Sequence, residues 1–333
     1  IRKNKNVNLT GKRVLVTGGA GLMGSHLADR LLKRGASEIV LLDNMVRGSM
    51  SNIEGVLSDS RARFVKGDIC DLNLLMELAT DMDGIFHMAA LRITACAADP
   101  MAAMQVMLVG THNVLHAMEQ KNVGKLIYPS SASIYGLADT FPTEETHHPY
   151  NNKTYYGAAK VAGEGMARSF ADRYGMQYVA LRYFNVYGPR MDIHGKYTEV
   201  LIRWLDRIDA GQRPAIFGDG SQTIDLIYID DITDANIMAM ESEITDDVFN
   251  IASGTETSLL ELLQALLKVT GSKLEPEFLP ERVVNPVPRR LACTKKAEKL
   301  LGFKAKVSLE DGLERLVKWR KELLNKNTVS SFD

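Results

Sequence analysis

The sequence predicts an α/β fold, a doubly wound parallel sheet followed by a smaller C-terminal α/β lobe. Three observations predict it. Short apolar runs alternate with stretches of helical periodicity up to Phe184, the pattern of buried strands crossed over by helices. Glycines 18, 19, 21 and 24 cluster where the first apolar run meets the first helix. Tyr156 and Lys160 open a later helical run four residues apart, a spacing that puts both side chains on one face.

In chain order, residues 13–17 read as a buried strand bounded by Gly18 and Gly19. The following helix carries Leu22, Leu27 and Leu31 near helical spacing and ends at Gly35. Strands are expected at 39–42, stopping at Asp43, at Phe64-Val65, at 84–88, at 125–128 and at 179–182. Helices are expected at 72–79, as one long piece from about Pro100 to Gln120, and from Tyr156 onward. Beyond Phe184 the alternation weakens. There the expected helices are 199–210, 231–241, 259–269, 295–301 and 309–324, and the strands 226–229 and 248–251, with a frayed tail from 327. The division drawn is 1–184, with 223–254 returning to it, against 185–222 plus 255–326.

Composition narrows the function. The chain has 333 residues, 45% of them hydrophobic, with a net charge of −1. That balance suits a soluble globular protein and gives no reason to expect nucleic acid or a membrane as partner. Cys70, Cys96 and Cys293 are scattered and read as reduced thiols in a cytoplasmic protein. The basic, polar start lacks the apolar stretch of a signal peptide. His147-His148 before Pro149 reads as a turn, with no Cys or carboxylate at ligand spacing, so no metal site is expected. Met101, Met104 and Met107 read as helix core, and His87 as a strand-end residue near a cofactor.

The chemistry begins at Gly18, Gly21 and Gly24, a G-x-x-G-x-x-G turn between strand and helix. Missing side chains let backbone approach a pyrophosphate, and the helix N-terminus meets its charge. Asp43 at the end of the second strand suits a ribose 2′-hydroxyl and repels a 2′-phosphate, so NAD is expected rather than NADP. Arg47 nearby would soften that preference. A phenol with a pKa near ~10 is a weak base at neutral pH. An ammonium beside it favours the phenolate, and only Tyr156 has Lys160 four residues on, because Tyr155 is followed there by Ala159.

Taken with Asp68-Ile69, His87-Met88-Ala89-Ala90, residues 130–136, 182–190, 217–220 and 228–231, these motifs resemble the extended short-chain dehydrogenase/reductase family, and within it the nucleotide-sugar epimerases. The resemblance covers almost the whole chain. It implies a Rossmann-type nucleotide domain with NAD held by Gly18, Gly21, Leu22, Met23, Gly24, Asp43, Asn44, Asp68, Ile69, Ala89, Ala90, Arg92, Tyr156, Lys160 and Tyr183. Tyr156 would be the base at a sugar hydroxyl. Lys160 would hold the nicotinamide ribose and lower the phenol pKa, and Ser131 would bond the reacting oxygen. The implied reaction is C4 oxidation by NAD, rotation of the keto sugar and return of the hydride to its other face. A UDP-linked hexose or hexuronate is the implied substrate, bound with help from Ser131, Ser133, Asn185, Arg289 and Arg290. A homodimer through the helices near 100–120 and 154–174 is implied as well.

Related dehydratases and decarboxylases carry acids just after the hydroxyl residue, where this chain has Ala132 and Ser133; neither does acid/base work at neutral pH. Epimerisation is therefore expected, with a dehydratase, decarboxylase or 4-reductase as the alternative. From another class, the alternative is a silent NAD-sensing regulator. Three positions depart from the family. Met107 replaces an asparagine, Tyr155 a proline, and Ile224 a diphosphate-binding arginine. Arg289 and Arg290, with Arg282 nearby, are the cations that could replace that last one. Arg290 aligns beside the sugar ring and is expected to meet a diphosphate oxygen or a sugar carboxylate.

Overall fold

The computed structural model describes residues 8–193, 199–281 and 287–329. Arg282 lies outside them. The strands are β1 (Arg13–Thr17), β2 (Glu38–Asp43), β3 (Ala62–Lys66), β4 (Gly84–His87), β5 (Lys125–Ser131) and β6 (Gln177–Tyr183). Then come β7 (Asn185–Tyr187), β8 (Ala215–Phe217), β9 (Thr223–Tyr228), β10 (Asp247–Ile251), β11 (Glu256–Ser258) and β12 (Glu277–Leu279). The first helices are α1 (Leu22–Lys33), α2 (Glu54–Leu57), α3 (Leu72–Leu78), α4 (Ile93–Ala98), α5 (Pro100–Met104) and α6 (Gly110–Lys121). They are followed by α7 (Tyr155–Tyr174), α8 (Val200–Asp209), α9 (Ile229–Glu241), α10 (Leu259–Thr270), α11 (Lys295–Leu301) and α12 (Leu309–Val329).

Seven strands form one sheet in the order β10-β6-β5-β4-β1-β2-β3, with every pairing parallel. Side-chain alternation explains why both faces must be covered. Val14, Val16, Ile39 and Leu41 pack on one face with Leu27 and Leu31 of α1 and Ile232 and Ala235 of α9. Leu15, Val40 and Leu42 pack on the other with Leu75 of α3, Leu115 and Met118 of α6 and Ala167 of α7. A strand buried on both sides reads as an unbroken apolar run, which is how these strands look in the sequence. The order reverses between β1 and β4, and ligands of such sheets bind at the strand ends beside that reversal.

Several elements differ from the sequence expectation. The helix expected from Pro100 to Gln120 carries a π-turn at Gln105–Val109, between α5 and α6. An extra short helix, α4, precedes it behind the cleft. The strand expected at 226–229 starts at Thr223, and Ile229 already begins α9. The expected frayed tail is helical as far as Val329, because α12 continues past Leu324. Short pairings that periodicity does not reveal, β7-β9-β11 and β8-β12, lie outside the large sheet. Of 223–254, α9 and β10 lie on the large sheet, whereas β9 belongs to the small one.

Candidate active site

The turn after β1 is built for close backbone approach. Gly18 has φ +64°, and a Cβ there would stand 2.7 Å from the Ala89 nitrogen. A Cβ on Gly24 would stand 2.2 Å from the Gly18 oxygen. No side chain caps α1 at Gly21, so the amides of Leu22, Met23 and Gly24 open the helix free to meet an anion. Gly24→Ala is expected to push this turn apart and strip the purified protein of bound dinucleotide. Chromatography of the nucleotide released by acid checks it.

Asp43 Oδ2 accepts from the Ala20 amide (3.0 Å) and Oδ1 from the Met45 amide (2.8 Å). These bonds aim the carboxylate and leave lone pairs for a ribose diol. Asn44 donates to Asp68 (2.8 Å), and the Cys70 amide donates to it as well (2.9 Å). Burial opposes ionisation of Asp68, but these bonds hold its carboxyl below the usual range. Ile69 is buried against Gly110, and the Ala89 amide donates to Thr17 Oγ1 (3.2 Å). Ala90 packs beside Cys96 and Met107, close to Tyr156. His87 is held between Thr17 and Thr111 (2.8 and 3.1 Å) and is kept neutral by burial, its pKa falling to about 3. The residues present fit a dinucleotide.

Arg47, expected to soften the acid, has its ion pair elsewhere. It turns away into the cleft, 3.9 Å from Asp192, where burial and the neighbouring Arg92 lower its pKa. Arg92 itself faces Glu199 at 3.8 Å. Tyr183, expected among the cofactor residues, has its hydroxyl engaged elsewhere. It lies opposite Ser131 in the sheet register, but strand alternation turns its phenol into the core, where it donates to Asn236 (2.7 Å). Its neighbour Arg182 takes the opposite face.

The tyrosine and lysine come together with Ser131 because α7 starts against the 3-10 turn Ala132–Tyr135 that follows β5. Thr154 caps α7 by accepting from the Gly157 amide (3.0 Å), a contact worth about 1 kcal/mol. A Cβ on Gly157 would stand 2.6 Å from the Ser133 oxygen, so only glycine lets the helix sit so close. Behind this pair, Arg182 grips Glu164 (2.7 and 2.9 Å), Tyr135 (2.9 Å) and the Glu145 carbonyl (2.8 Å). Ser130 donates to the same Glu164 (2.5 Å). Removing one member of a buried ion pair costs about 3–5 kcal/mol, so this network is a rigid back wall for the site.

Lys160 is buried, and its Nζ donates to the Pro129 carbonyl (2.5 Å), 5.8 Å from the Tyr156 ring centre. Burial lowers its pKa to about 8. The expected lowering of the phenol by Lys160 is not what the protein alone provides. Burial pushes Tyr156 up to about 12, while the Ser131 hydroxyl bond and the Arg47 charge pull it back. Met107 takes the Leu91 amide on its sulfur (3.3 Å) within the π-turn, so the lost asparagine is replaced by a weaker acceptor.

On the substrate side, the Ser133 amide donates to Ser131 Oγ (3.1 Å). Asn185 donates to the Asp225 carbonyl (3.0 Å), leaving its amide oxygen as an acceptor. The two arginines separate. Arg289 is committed to Glu256 by two bonds (2.6 and 2.8 Å) and stacks on Phe141. Pairing of β11 with β9 brings Glu256 to that spot, so Arg289 is not a free substrate cation. Arg290 is half-buried and has no carboxylate partner among the described residues. Burial pulls its pKa down to about 10, and the Tyr156 phenol is the titratable group it faces. Its backbone is set by an amide bond to the Thr223 carbonyl (3.0 Å). Asp225 anchors the same segment by accepting from the amides of Ser253 and Ala292 (2.9 and 3.2 Å).

Two clusters escape a reading of sequence spacing. Arg47, Arg92 and Glu199 meet near Tyr156 only in the fold. The His147-His148 pair is not an isolated turn, since Asp139 comes within 2.8 Å of His147. The only advance signal is the short separation of 139 from 147.

The profile of the NAD dependent epimerase/dehydratase family matches residues 14–252. The UDP-glucose 4-epimerase of Mycolicibacterium smegmatis is 36% identical over 310 residues, covering 92% of this chain and 98% of that protein. The UDP-N-acetyl-alpha-D-glucosaminuronate decarboxylase of Bacillus cytotoxicus is 30% identical over 324 residues, covering 94% and 99%. The crystal structure of UDP-glucuronic acid 4-epimerase from Bacillus cereus, in complex with UDP-glucuronic acid and NAD, superposes with a TM-score of 0.86 at 31% identity, covering 93% and 99%. A dinucleotide cradle on a seven-stranded parallel sheet and a family match over most of the length have one consequence: the chain belongs to the NAD dependent epimerase/dehydratase family, and NAD is its cofactor.

Proposed function

We propose that this protein is a 4-epimerase of UDP-linked sugars, and that the sugar carries a carboxylate. The observation that carries the reaction is the Ser131–Tyr156–Lys160 set, followed by Ala132 and Ser133 in place of acids. Without an acid there, no side chain of that turn drives loss of water. Arg290 faces Tyr156 with no carboxylate partner among the described residues, and this supports the carboxylate, because a guanidinium withdrawn from water gains from an arriving anion. The 30% identical decarboxylase keeps release of carbon dioxide as the second reading.

NAD, when bound, supplies the hydride acceptor, and the protein supplies position and proton transfer. Tyr156 takes the proton of the sugar 4-hydroxyl. Ser131 holds that oxygen through its hydroxyl and steadies the phenol. Lys160, fixed on the Pro129 carbonyl, places positive charge beneath both. Asn185 and Arg290 hold the rest of the sugar nucleotide, and Arg92 serves the cofactor. Residues 1–184 with 223–254 act as the nucleotide part, and 185–222 with 255–326 as the substrate part. A homodimer through α5, α6 and α7 would cover Met101, Met104 and Tyr174, which are 71, 49 and 46% exposed.

Proton NMR of UDP-sugars incubated with the protein and no added NAD tests the reaction. A C4-inverted product from a uronate is expected. Release of carbon dioxide with a pentose product would replace epimerisation by decarboxylation. Light scattering should give a mass of two chains; a single-chain mass would refute the dimer.

A further inference from the structure

We propose that Asp139, His147 and His148 form a binding site for a divalent transition metal ion of the zinc class. They lie on the segment 137–153, which joins the 3-10 turn to α7. One donor atom from each lies within 4.8 Å of the other two. His147 Nε2 stands 2.8 Å from Asp139 Oδ1, and His148 Nε2 stands 3.6 Å from Asp139 Oδ2. The His147 side chain is only 3% exposed, whereas those of His148 and Asp139 are 45 and 59% exposed. The cluster is anchored on one side and open to water on the other.

The hydrogens of His147 favour a cation at its centre. Nδ1 lies 2.7 Å from the His148 carbonyl oxygen. A carbonyl only accepts, so Nδ1 carries the hydrogen, and in the neutral ring Nε2 presents a lone pair. That lone pair faces a carboxylate oxygen, with the Asp139 amide at 3.3 Å as its one other neighbour. A second proton on the ring would relieve that pair alone. A metal ion would serve all three donors. Neutral imidazoles with one carboxylate are a donor set of zinc and its first-row neighbours. An Nδ1–H bond to a carbonyl is how ligating histidines are commonly oriented. The Tyr150 amide meets His148 Nδ1 at 3.3 Å. Ligation through Nε2 moves the hydrogen to Nδ1, and that long contact is given up.

An ion here would stiffen a brace of the active site. Within the segment, Thr143 donates to the Leu291 carbonyl (2.8 Å) and accepts from the Cys293 amide (2.9 Å), holding the chain next to Arg290. Glu145 accepts from Arg182 and, through its carboxylate, from the Asn250 amide (2.8 Å).

The test uses untagged, NAD-bound protein stripped with chelator, titrated with Zn²⁺ by calorimetry and with Co²⁺ by visible absorption. Asp139→Asn and His148→Ala alter exposed side chains, and metal-free melting confirms that both variants fold. One saturable ion per chain is expected in the parent. Each variant should bind at least about tenfold more weakly and lose the Co²⁺ spectrum. Unchanged affinity in both variants overturns the site. No saturable binding in the parent also overturns it.

Discussion

Tyr156→Phe is expected to lower kcat by about 10²–10⁴-fold, the usual worth of a positioned acid or base, while bound NAD stays unchanged. The ring remains and still packs against Lys160, so cofactor retention and thermal stability should hardly move. What disappears is the oxygen that burial pushes up to about 12 and that Ser131 pulls back. A group with so high a pKa is a poor base until a further positive charge arrives, and oxidised nicotinamide brings one. The parent's rate should therefore climb with pH as the phenol of the holoenzyme loses its proton, and the variant should lack that limb. A variant that keeps parental kcat would remove Tyr156 from the chemistry.

Arg290→Ala is expected to raise KM more than tenfold for a UDP-hexuronate, with a much smaller effect on the corresponding neutral hexose. The physical basis is that no carboxylate among the described residues pairs with Arg290. Arg289, one residue earlier, is neutralised by Glu256 at the surface, where such a pair is worth at most about 1 kcal/mol. Arg290 faces the cleft, with burial lowering its pKa to about 10. A desolvated cation gains far more from an arriving anion than an exposed one. The sugar carbon bearing a uronate carboxylate is next to C4, the carbon whose hydroxyl Tyr156 serves. A contact at that end therefore discriminates between sugars. An equal rise in KM for both substrates would place Arg290 on the diphosphate; no rise for either would remove it from the binding site. Arg290→Lys keeps the charge without the planar fork and should recover only part of the affinity.

The central sheet, the glycine turn, Asp43 and the Tyr156–Lys160 pair were legible in the chain because each is written locally. Strands buried on both faces leave continuous apolar runs. A tight strand-to-helix turn needs glycine within a few residues. A four-residue spacing on a helix fixes a shared face whatever surrounds it. Ser131 was not legible in this way, since a serine at a strand end reads locally as a turn residue, and only the family resemblance singled it out.

Only the tertiary structure decided the rest, because those contacts join positions far apart in sequence. Adjacent Arg289 and Arg290 look alike in the chain, yet the register of β11 on β9 gives the first a carboxylate and leaves the second facing Tyr156. Alternation along β6 turned the Tyr183 phenol into the core toward Asn236. Folding of 137–153 brings Asp139 to two histidines that read in the sequence as a turn. Periodicity reports which face of an element is buried. Which charge ends opposite which is set by register, and a shift of one residue reverses it.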